Sequence, residues 1–283
     1  MGRTMREIHI DEITQAVKGL FLKATVVLSE DATRALQKGL ETEESPVGRE
    51  VLKCLLENAE MAKADRIPIC QDTGRAIMFV EVGQDVHIVG GAFMDALEEG
   101  VRQAYTEGYL RKSVCHPLTR KNTGDNTPAV IHTLIVPGDR IKISAMPKGE
   151  GSENMSRVFM LRPTVGWEGV KEKVIETVST AGPNPCPPIT VGVAVGGSFG
   201  SAARDAQKTL LRPIGQPNPD PEVARLEAEL LEEINRLGIG PQGMGGRVTA
   251  LAVHITLQPC HIASLPLGVN LMCHAARHAE VIL

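Results

Sequence analysis

The sequence predicts a mixed α/β fold in which an N-terminal helical region packs against short mixed sheets. Apolar residues at Ile13, Val17, Leu20 and Phe21 follow the spacing of one helix face. After Gly74, short β-like runs alternate with helical segments. Apolar residues make up 42% of the 283 residues and charged residues 23%, as in an ordinary globular protein. This composition excludes a chain that is disordered over most of its length.

Each predicted element follows from its local pattern. Helices are predicted where apolar residues recur every three or four positions, and strands where short apolar runs lie between turn residues. The predicted helices cover residues 13–21, 30–40, 47–65, 92–107, 166–180 and 222–237. The predicted strands cover residues 76–82, 86–89, 129–136, 140–146, 189–195 and 247–257. Residues 83–85 (GQD) predict a hairpin-type turn, and the proline-rich residues 212–221 predict a surface loop.

Charge and hydropathy limit the class of protein. The chain has 30 Lys and Arg against 34 Asp and Glu, and its net charge of −4 argues against a nucleic-acid partner. No apolar run reaches the ~18 residues of a membrane span. The first residues are charged and lack the apolar core of a secretory signal, so we expect a cytoplasmic protein without membrane contacts. The apolar residues 281–283 (VIL) are expected to pack, within the chain or against a partner.

Six cysteines in a chain of this length are not a disulfide framework, which is typical of short secreted proteins. Cys70 lies in residues 68–74 (PICQDTG), where thiol, amide, carboxylate and hydroxyl side chains follow one another. Such a loop is suited to chemistry, although Asp-Thr-Gly is also an ordinary turn sequence. Cys186 lies in residues 182–188 (GPNPCPP), where prolines hold the thiol rigidly. A metal ligand and an incidental cysteine are both compatible with that frame.

Cys260 and Cys273 lie near the end of the chain, beside His261 and two further histidines. This density of Cys and His indicates metal binding or proton transfer. No CxxC pair is present, so the pattern does not fit a zinc finger. Cys54 is predicted to be an ordinary thiol on a helix, and the pattern around Cys115 assigns it no role. Thiols far apart in sequence, each in a loop framed by Gly or Pro, are what a bound metal cluster would require.

Several motifs, in order, resemble those of the iron–sulfur hydro-lyases, the class I fumarases and the related tartrate dehydratases. Residues 69–74 (ICQDTG) resemble the signature of that family. Residues 184–188 (NPCPP), followed by a strand and Gly-Gly, resemble its second cysteine site. Residues 261–269 (HIASLPLGV) resemble its His-x-Ala-Ser-x-Pro-x-Gly stretch, and Cys273 falls where the family has its third cysteine. Residues 242–246 (QGMGG) resemble a glycine-rich stretch that precedes a strand, and the resemblance covers nearly the whole chain.

The resemblance implies a [4Fe–4S] cluster at a junction of loops, held by Cys70, Cys186 and Cys273. Since an electron-carrying cluster needs four ligands, three ligands leave one iron open to act as a Lewis acid. The other three cysteines are then non-ligands. The implied reaction is the reversible hydration of fumarate to L-malate.

The resemblance also implies residues that bind substrate and handle protons. Arg111 matches an arginine that grips a substrate carboxylate, and Gln71 would help to orient the diacid. Asp72 is a candidate base, and the family also assigns a role here to a threonine of the C-terminal domain. His261 hydrogen-bonds substrate, assists proton handling or only satisfies a backbone carbonyl. Residues 148–154 (KGEGSEN) resemble a glycine-rich substrate loop with a glutamate at the central position, flanked by the expected substrate-binding glycines Gly149 and Gly151.

The same resemblance implies one α-type domain over residues 1–283, with a helical subregion over about residues 1–66. The swivelling C-terminal domain of single-chain class I fumarases is then expected on a separate β subunit, within a higher heteromer. An L-tartrate dehydratase α subunit is the alternative enzyme, since the motifs barely separate the two. An iron–sulfur carrier or a regulatory binding protein is the alternative of another class. A nucleotide-binding role for residues 192–200 is disfavoured because a P-loop lysine is missing.

Overall fold

The structure, a computed structural model, describes residues 5–283 and contains two compact units. Unit 1 comprises the described residues up to 28 together with 61–149 and 277–283, and unit 2 comprises 29–60 and 150–276. Helices and mixed sheets confirm the predicted α/β fold. The expectation of one domain over the whole chain stays a prediction. Over the described residues, no helix combines the length and the apolar character needed to cross a membrane.

Eight α-helices and ten strands occur in the part of the chain that the structure describes. The helices are α1 Ile10–Val26, α2 Glu30–Thr42, α3 Pro46–Asp65, α4 Phe93–Glu107, α5 Glu150–Glu153, α6 Gly166–Ala181, α7 Phe199–Thr209 and α8 Pro221–Asn235. The strands are β1 Arg6–His9, β2 Arg75–Gly83, β3 Val86–Val89, β4 Val130–Val136, β5 Ile141–Lys148, β6 Arg157–Leu161, β7 Ile189–Gly196, β8 Ala250–Gln258, β9 Leu265–Met272 and β10 Ala279–Ile282.

Unit 1 is built on a four-stranded sheet in the order β10-β5-β2-β4. Strand β2 pairs antiparallel with β5 and parallel with β4. The predicted apolar face of α1 is buried, and it shares one core with α4 and the sheet. The C-terminal strand β10 pairs with β5, and Ile141 and Leu283 exchange backbone hydrogen bonds of 3.0 and 2.8 Å. The apolar end of the chain therefore packs within the chain, as one of the two expectations had it.

The predicted hairpin at residues 83–85 is wrong. Strand β3 does not pair with β2; it pairs in parallel with β1, with Ile8 opposite Ile88. Both edges of β2 are already occupied by β4 and β5. The turn is bonded to its neighbours instead, because Gly83 and Gln84 donate backbone hydrogen bonds to Arg140 and Val136. The residues of the turn do not specify the partner of β3, which is decided by its pairing with a strand far away in the sequence.

Unit 2 is built on a sheet in the order β6-β9-β7-β8, in which only β7 and β8 are parallel neighbours. Helices α6 and α8 cover one face, in a core with Val191 and Val193 of β7. Successive residues of a strand point to opposite faces, so Gly192 faces the other way, where α7 lies. A Cβ at Gly192 would lie 2.2 Å from the Ala206 carbonyl oxygen, and one at Gly268 would lie 2.1 Å from that of Ala202. The sheet therefore needs glycine at both positions.

Gly192→Ala is expected to destabilise the protein by about 1–3 kcal/mol, because the backbone of α7 must move to admit the methyl group. Gly200→Ala is the matched control, since a Cβ there meets nothing within 4 Å. Urea unfolding of both variants measures the difference. Equal midpoints for Gly192→Ala and the unsubstituted protein would contradict the close packing of α7 on β7.

Candidate functional site

The loop of residues 69–74 connects α3 to β2 in unit 1, and two buried side chains hold its end. The Tyr105 hydroxyl lies 3.0 Å from the carbonyl oxygen of Thr73 and 2.9 Å from that of Gly74. Burial raises the pKa of Tyr105, so the phenol stays a neutral donor. The Asn126 amide also donates to the Gly74 carbonyl, at 3.2 Å. The loop is thereby fixed to the core of unit 1.

Arg111 lies on a segment that is bonded to the same loop. The Thr73 hydroxyl donates to the Arg111 carbonyl at 3.3 Å. The Asn126 side-chain oxygen accepts from the backbone of Ser113 and Val114, at 2.7 and 3.2 Å. Arg111 itself is exposed, and no hydrogen bond or ion pair of its guanidinium group occurs among the residues that the structure describes. An anionic ligand can therefore approach this guanidinium group from solvent.

Asp72 lies among groups that orient it. One carboxylate oxygen accepts from the Gly74 backbone at 3.0 Å, which stabilises the turn. The Asp72 carbonyl accepts from Arg277 Nη1 at 2.7 Å, and Arg277 is 1% exposed. A Cβ at Gly149 would lie 3.3 Å from both Asp72 Oδ2 and Arg277 Nη2. Unit 1 thus brings Asp72, Gly149 and a buried cation together. Gln71 is exposed, and its Oε1 accepts from the neighbouring Cys70 thiol at 3.4 Å.

Unit 2 holds Cys186 in an unusual backbone conformation. Its φ of 56° is left-handed, and its N–H donates to the Pro183 carbonyl at 3.0 Å. Its carbonyl accepts from the backbone N–H of His274 at 3.3 Å, and His274 Nδ1 lies 3.2 Å from the same oxygen. Because His274 follows Cys273 directly, these contacts bring the two cysteine-bearing segments together within unit 2.

The glycine-rich residues 240–246 lie against these segments. Gln242 donates to the Pro187 carbonyl from its backbone nitrogen at 2.7 Å and from its side-chain Nε2 at 2.8 Å. The same Nε2 lies 3.2 Å from His274 Nδ1. A Cβ at Gly151 would lie 2.8 Å from the Asn184 carbonyl oxygen. Gly151 therefore lies beside the residues that precede Cys186.

His261 lies in the turn after β8 and is exposed. Its Nδ1 accepts from the backbone N–H of Ala263 at 3.1 Å, so the proton of the neutral ring is on Nε2. None of the described contacts links its side chain to Cys186 or Cys273. The structure thus leaves His261 with a donor nitrogen, and its assignment to the site stays a prediction.

The six cysteines differ in their surroundings, and none is in a disulfide. Cys70, Cys186 and Cys273 are partly exposed on loops, and Cys54 is exposed on α3. Cys260 is exposed and donates to the Ser264 carbonyl. Within residues 5–283, no three His, Cys, Asp or Glu side chains are grouped as the ligands of one metal ion would be. The predicted cluster ligands therefore stay a proposal.

Glu43 directly follows the last residue of α2 and is 2% exposed. It binds the backbone just after the glycine-rich residues 240–246. Its carboxylate accepts from the backbone N–H groups of Arg247 and Val248, at 2.9 and 2.8 Å, and from Glu44 and Ser45, at 2.8 and 2.9 Å. Burial alone would raise the pKa of Glu43, but these four donors outweigh it and lower that pKa below its usual 4.5.

Glu43→Gln is expected to cost about 2 kcal/mol of stability at pH 7, because an amide cannot replace a carboxylate that accepts four N–H groups. The folded-state pKa is depressed, so this contribution is fully present above the unfolded pKa and is lost as pH falls through the folded pKa. Thermal unfolding from pH 7 to pH 3 measures both effects. The gap between the two proteins should stay constant down to about pH 5 and narrow below it. A gap that widens in acid would contradict the assignment.

Three residues that hold the loop of residues 69–74 were not predicted from the sequence: Tyr105, Asn126 and Arg277. Their side chains contact the loop of residues 69–74 across 31, 52 and 205 positions of sequence. Tyr105 is one of only two tyrosines, and it lies on the buried face of α4. That placement is the one signal that could have singled it out.

Comparison with known proteins places the chain in a family. The family model described as "Fumarate hydratase (Fumerase)" matches residues 14–282. A protein of Methanocaldococcus jannaschii named "Putative L(+)-tartrate dehydratase subunit alpha" is 44% identical over 274 residues, which cover 95% of this chain and 96% of that protein. The "L(+)-tartrate dehydratase subunit alpha" of Escherichia coli O157:H7 is 31% identical over all of this chain and 94% of its own length.

The named activities of this family and of these relatives, hydration and dehydration, are both hydro-lyase reactions. The match extends over nearly the full length of this chain and of the relatives. It includes the loop of residues 69–74 and both cysteine-bearing segments of unit 2. The chain therefore belongs to the fumarate hydratase (Fumerase) family of hydro-lyases.

Proposed function

We propose that this chain is the α-type subunit of a hydro-lyase that removes water from a hydroxylated dicarboxylic acid, with L-tartrate as the first candidate. The observation that carries the reaction type is the loop of residues 69–74. This loop presents a thiol and a carboxylate, and it is bonded to the segment of Arg111, whose guanidinium is exposed. Fumarate or L-malate, the substrate pair that the motif resemblance implies first, is the second candidate. The names of the relatives favour tartrate.

The donor set of this chain fits an iron–sulfur cluster. Cys70, Cys186 and Cys273 are partly exposed, form no disulfide and lie on loops. Soft thiolates are the ligands that such clusters take. The backbone of Cys186 is held at both its N–H and its carbonyl, which restricts where its thiol can lie. We assign these three cysteines as the ligands of a [4Fe–4S] cluster. When bound, the cluster supplies a Lewis-acidic iron that polarises the hydroxyl to be removed.

Arg111 and Gln71 orient the diacid. A guanidinium group forms two parallel hydrogen bonds with a carboxylate, so Arg111 fixes one end of the substrate. Gln71 offers an amide beside Cys70. Gly149 adds no side chain next to Asp72, and even a methyl group there would lie 3.3 Å from the carboxylate. Glycine at this position therefore keeps a side chain from crowding the Asp72 carboxylate.

Asp72 accepts a proton, and His261 stabilises the leaving group. Elimination of water breaks a C–H bond on one carbon and the C–O bond on the next, and the C–H electron pair forms the new double bond. Asp72 takes the carbon-bound proton, because its carboxylate is held by the Gly74 N–H and lies beside Gly149. The hydroxyl leaves as hydroxide with a hydrogen bond from His261 Nε2, and it takes a proton from solvent to become water. Dehydration of tartrate first gives an enol, which becomes a 2-oxo diacid.

A β-type subunit is the proposed partner. Both relatives are named as alpha subunits, which supports a second kind of chain in the assembly. We expect that chain to carry the C-terminal domain of the single-chain enzymes and to complete the substrate site within a higher heteromer.

The experiment is an anaerobic assay of the two co-expressed subunits with L-tartrate, L-malate and fumarate. A site that hydrogen-bonds the second hydroxyl of tartrate should favour it over malate by about 100-fold or more in kcat/KM, since an analogue without that hydroxyl leaves buried polar groups unpaired. A preference for malate and fumarate would make the second candidate correct. An assembled, iron-loaded protein that turns over none of the three acids would overturn the function and favour the carrier alternative.

A further inference from the structure

Gln242 has a left-handed backbone conformation, which among its neighbours is adopted only by glycines. Its φ is 51°, in the left-handed region. Within residues 240–246, every other residue with a positive φ is a glycine: Gly240, Gly243, Gly245 and Gly246. Residues with a Cβ pay free energy for this conformation, whereas glycine adopts it readily. A glutamine kept there indicates that its side chain contributes something that glycine cannot.

The Gln242 side chain has a defined set of contacts. Its Nε2 donates to the Pro187 carbonyl at 2.8 Å, and the backbone nitrogen of the same residue donates to the same oxygen at 2.7 Å. Two donors from one residue to one carbonyl restrain the peptide group between Pro187 and Pro188, one residue after Cys186. Because Nε2 is committed as a donor to Pro187, the orientation of the amide is set.

The same nitrogen reaches the other cysteine-bearing segment. Gln242 Nε2 lies 3.2 Å from His274 Nδ1, and His274 donates its backbone N–H to the Cys186 carbonyl. His274 follows Cys273 directly. One glutamine amide therefore contacts the residue after Cys186 and the residue after Cys273. Cys186 has a left-handed φ of 56°, and these contacts restrain the backbone on its C-terminal side.

We propose that Gln242 is a positioning residue for the thiols of Cys186 and Cys273, which it holds in register through Pro187 and His274; this inference rests on the proposed cluster function. Gln242 does not ligate iron. Groups that orient metal ligands in this way typically change metal affinity or activity by about 10- to 100-fold when they are replaced.

The test compares Gln242→Gly, Gln242→Glu and Met244→Ala in the full chain, purified anaerobically and reconstituted with iron and sulfide. Gln242→Gly removes the amide and relieves the left-handed strain. Gln242→Glu keeps the size but replaces the donor with an acceptor. Met244 lies in the same stretch and is exposed, so its variant is the control. The readouts are the rate at which a chelator removes iron, the electron paramagnetic resonance spectrum of the reduced cluster, and the melting temperature of the iron-free chain.

We expect both Gln242 variants to lose iron about 10- to 100-fold faster with an altered spectrum, and Met244→Ala to match the unsubstituted protein. The iron-free Gln242→Gly chain should melt no lower than the unsubstituted chain. Iron loss at the unsubstituted rate in both variants would overturn the inference. A drop in the melting temperature of both iron-free variants would also overturn it, because Gln242 would then serve folding alone. An unsubstituted chain that binds no iron, either alone or in the assembly with the β-type subunit, would instead overturn the proposed function, and the inference with it.

Discussion

Asp72→Asn is expected to lower kcat by about 10²- to 10⁴-fold, the range typical of losing a general base. An asparagine side chain has nearly the same shape and keeps an oxygen that can accept from the Gly74 N–H, so the turn stays folded. It cannot take a proton from carbon. Anaerobic turnover of L-tartrate by the assembled enzyme measures the effect, and KM and iron content should change little.

Asp139→Asn is the control for this substitution, because Asp139 is an exposed aspartate in a turn of the same unit. It should retain full activity. Near-normal turnover in Asp72→Asn with an intact cluster would show that another group is the base. The remaining candidates would then be residues of the partner subunit.

Serine at Cys70, Cys186 or Cys273 is expected to remove most of the bound iron and to lower turnover by at least about 100-fold. Each of these thiolates is a ligand in the proposal, and a serine hydroxyl is a hard, weakly acidic donor that suits the cluster poorly. Iron analysis and activity of each single variant measure the effect.

Cys54→Ser and Cys260→Ser are matched controls, since both thiols are exposed and neither is a proposed ligand. They should keep iron and activity. If Cys260→Ser lost iron while Cys273→Ser kept it, the third ligand would be reassigned to the segment of His261.

The sequence allowed most of the elements of unit 1 to be predicted, but not their pairing. The helices α1 and α4 follow from apolar spacing, since each of them buries one stripe. The residue range of β3 was predicted correctly, but its pairing partner was not. Its partner β1 is a four-residue strand near the N-terminus that carries no strong pattern.

Unit 2 contains elements that local pattern hides. Strand β9 includes Pro266, Gly268 and Asn270, all of which argue against a strand, yet it pairs with both β6 and β7. Helix α7 buries mainly alanines, Ala202 and Ala206, which give little apolar periodicity. Gly268 of β9 and the alanines of α7 have one cause, because small residues on both elements allow the helix to lie close to the sheet.

The candidate site was predictable where motifs are local and resemble a known family, as in residues 69–74. Its supporting contacts were not, because they join positions that only the fold brings together. Arg277 reaches Asp72 across 205 residues, and Glu43 reaches Val248 across the same number. A buried charge with distant backbone partners leaves no periodic signal in the sequence.

The most direct test of the central claim is the amount of iron and acid-labile sulfide per chain in the anaerobically purified assembly of the two subunits. The three-cysteine cluster predicts about four of each per α-type chain. Absence of iron after reconstitution, in an assembly that is folded and complete, would contradict the cluster and the elimination chemistry that depends on it.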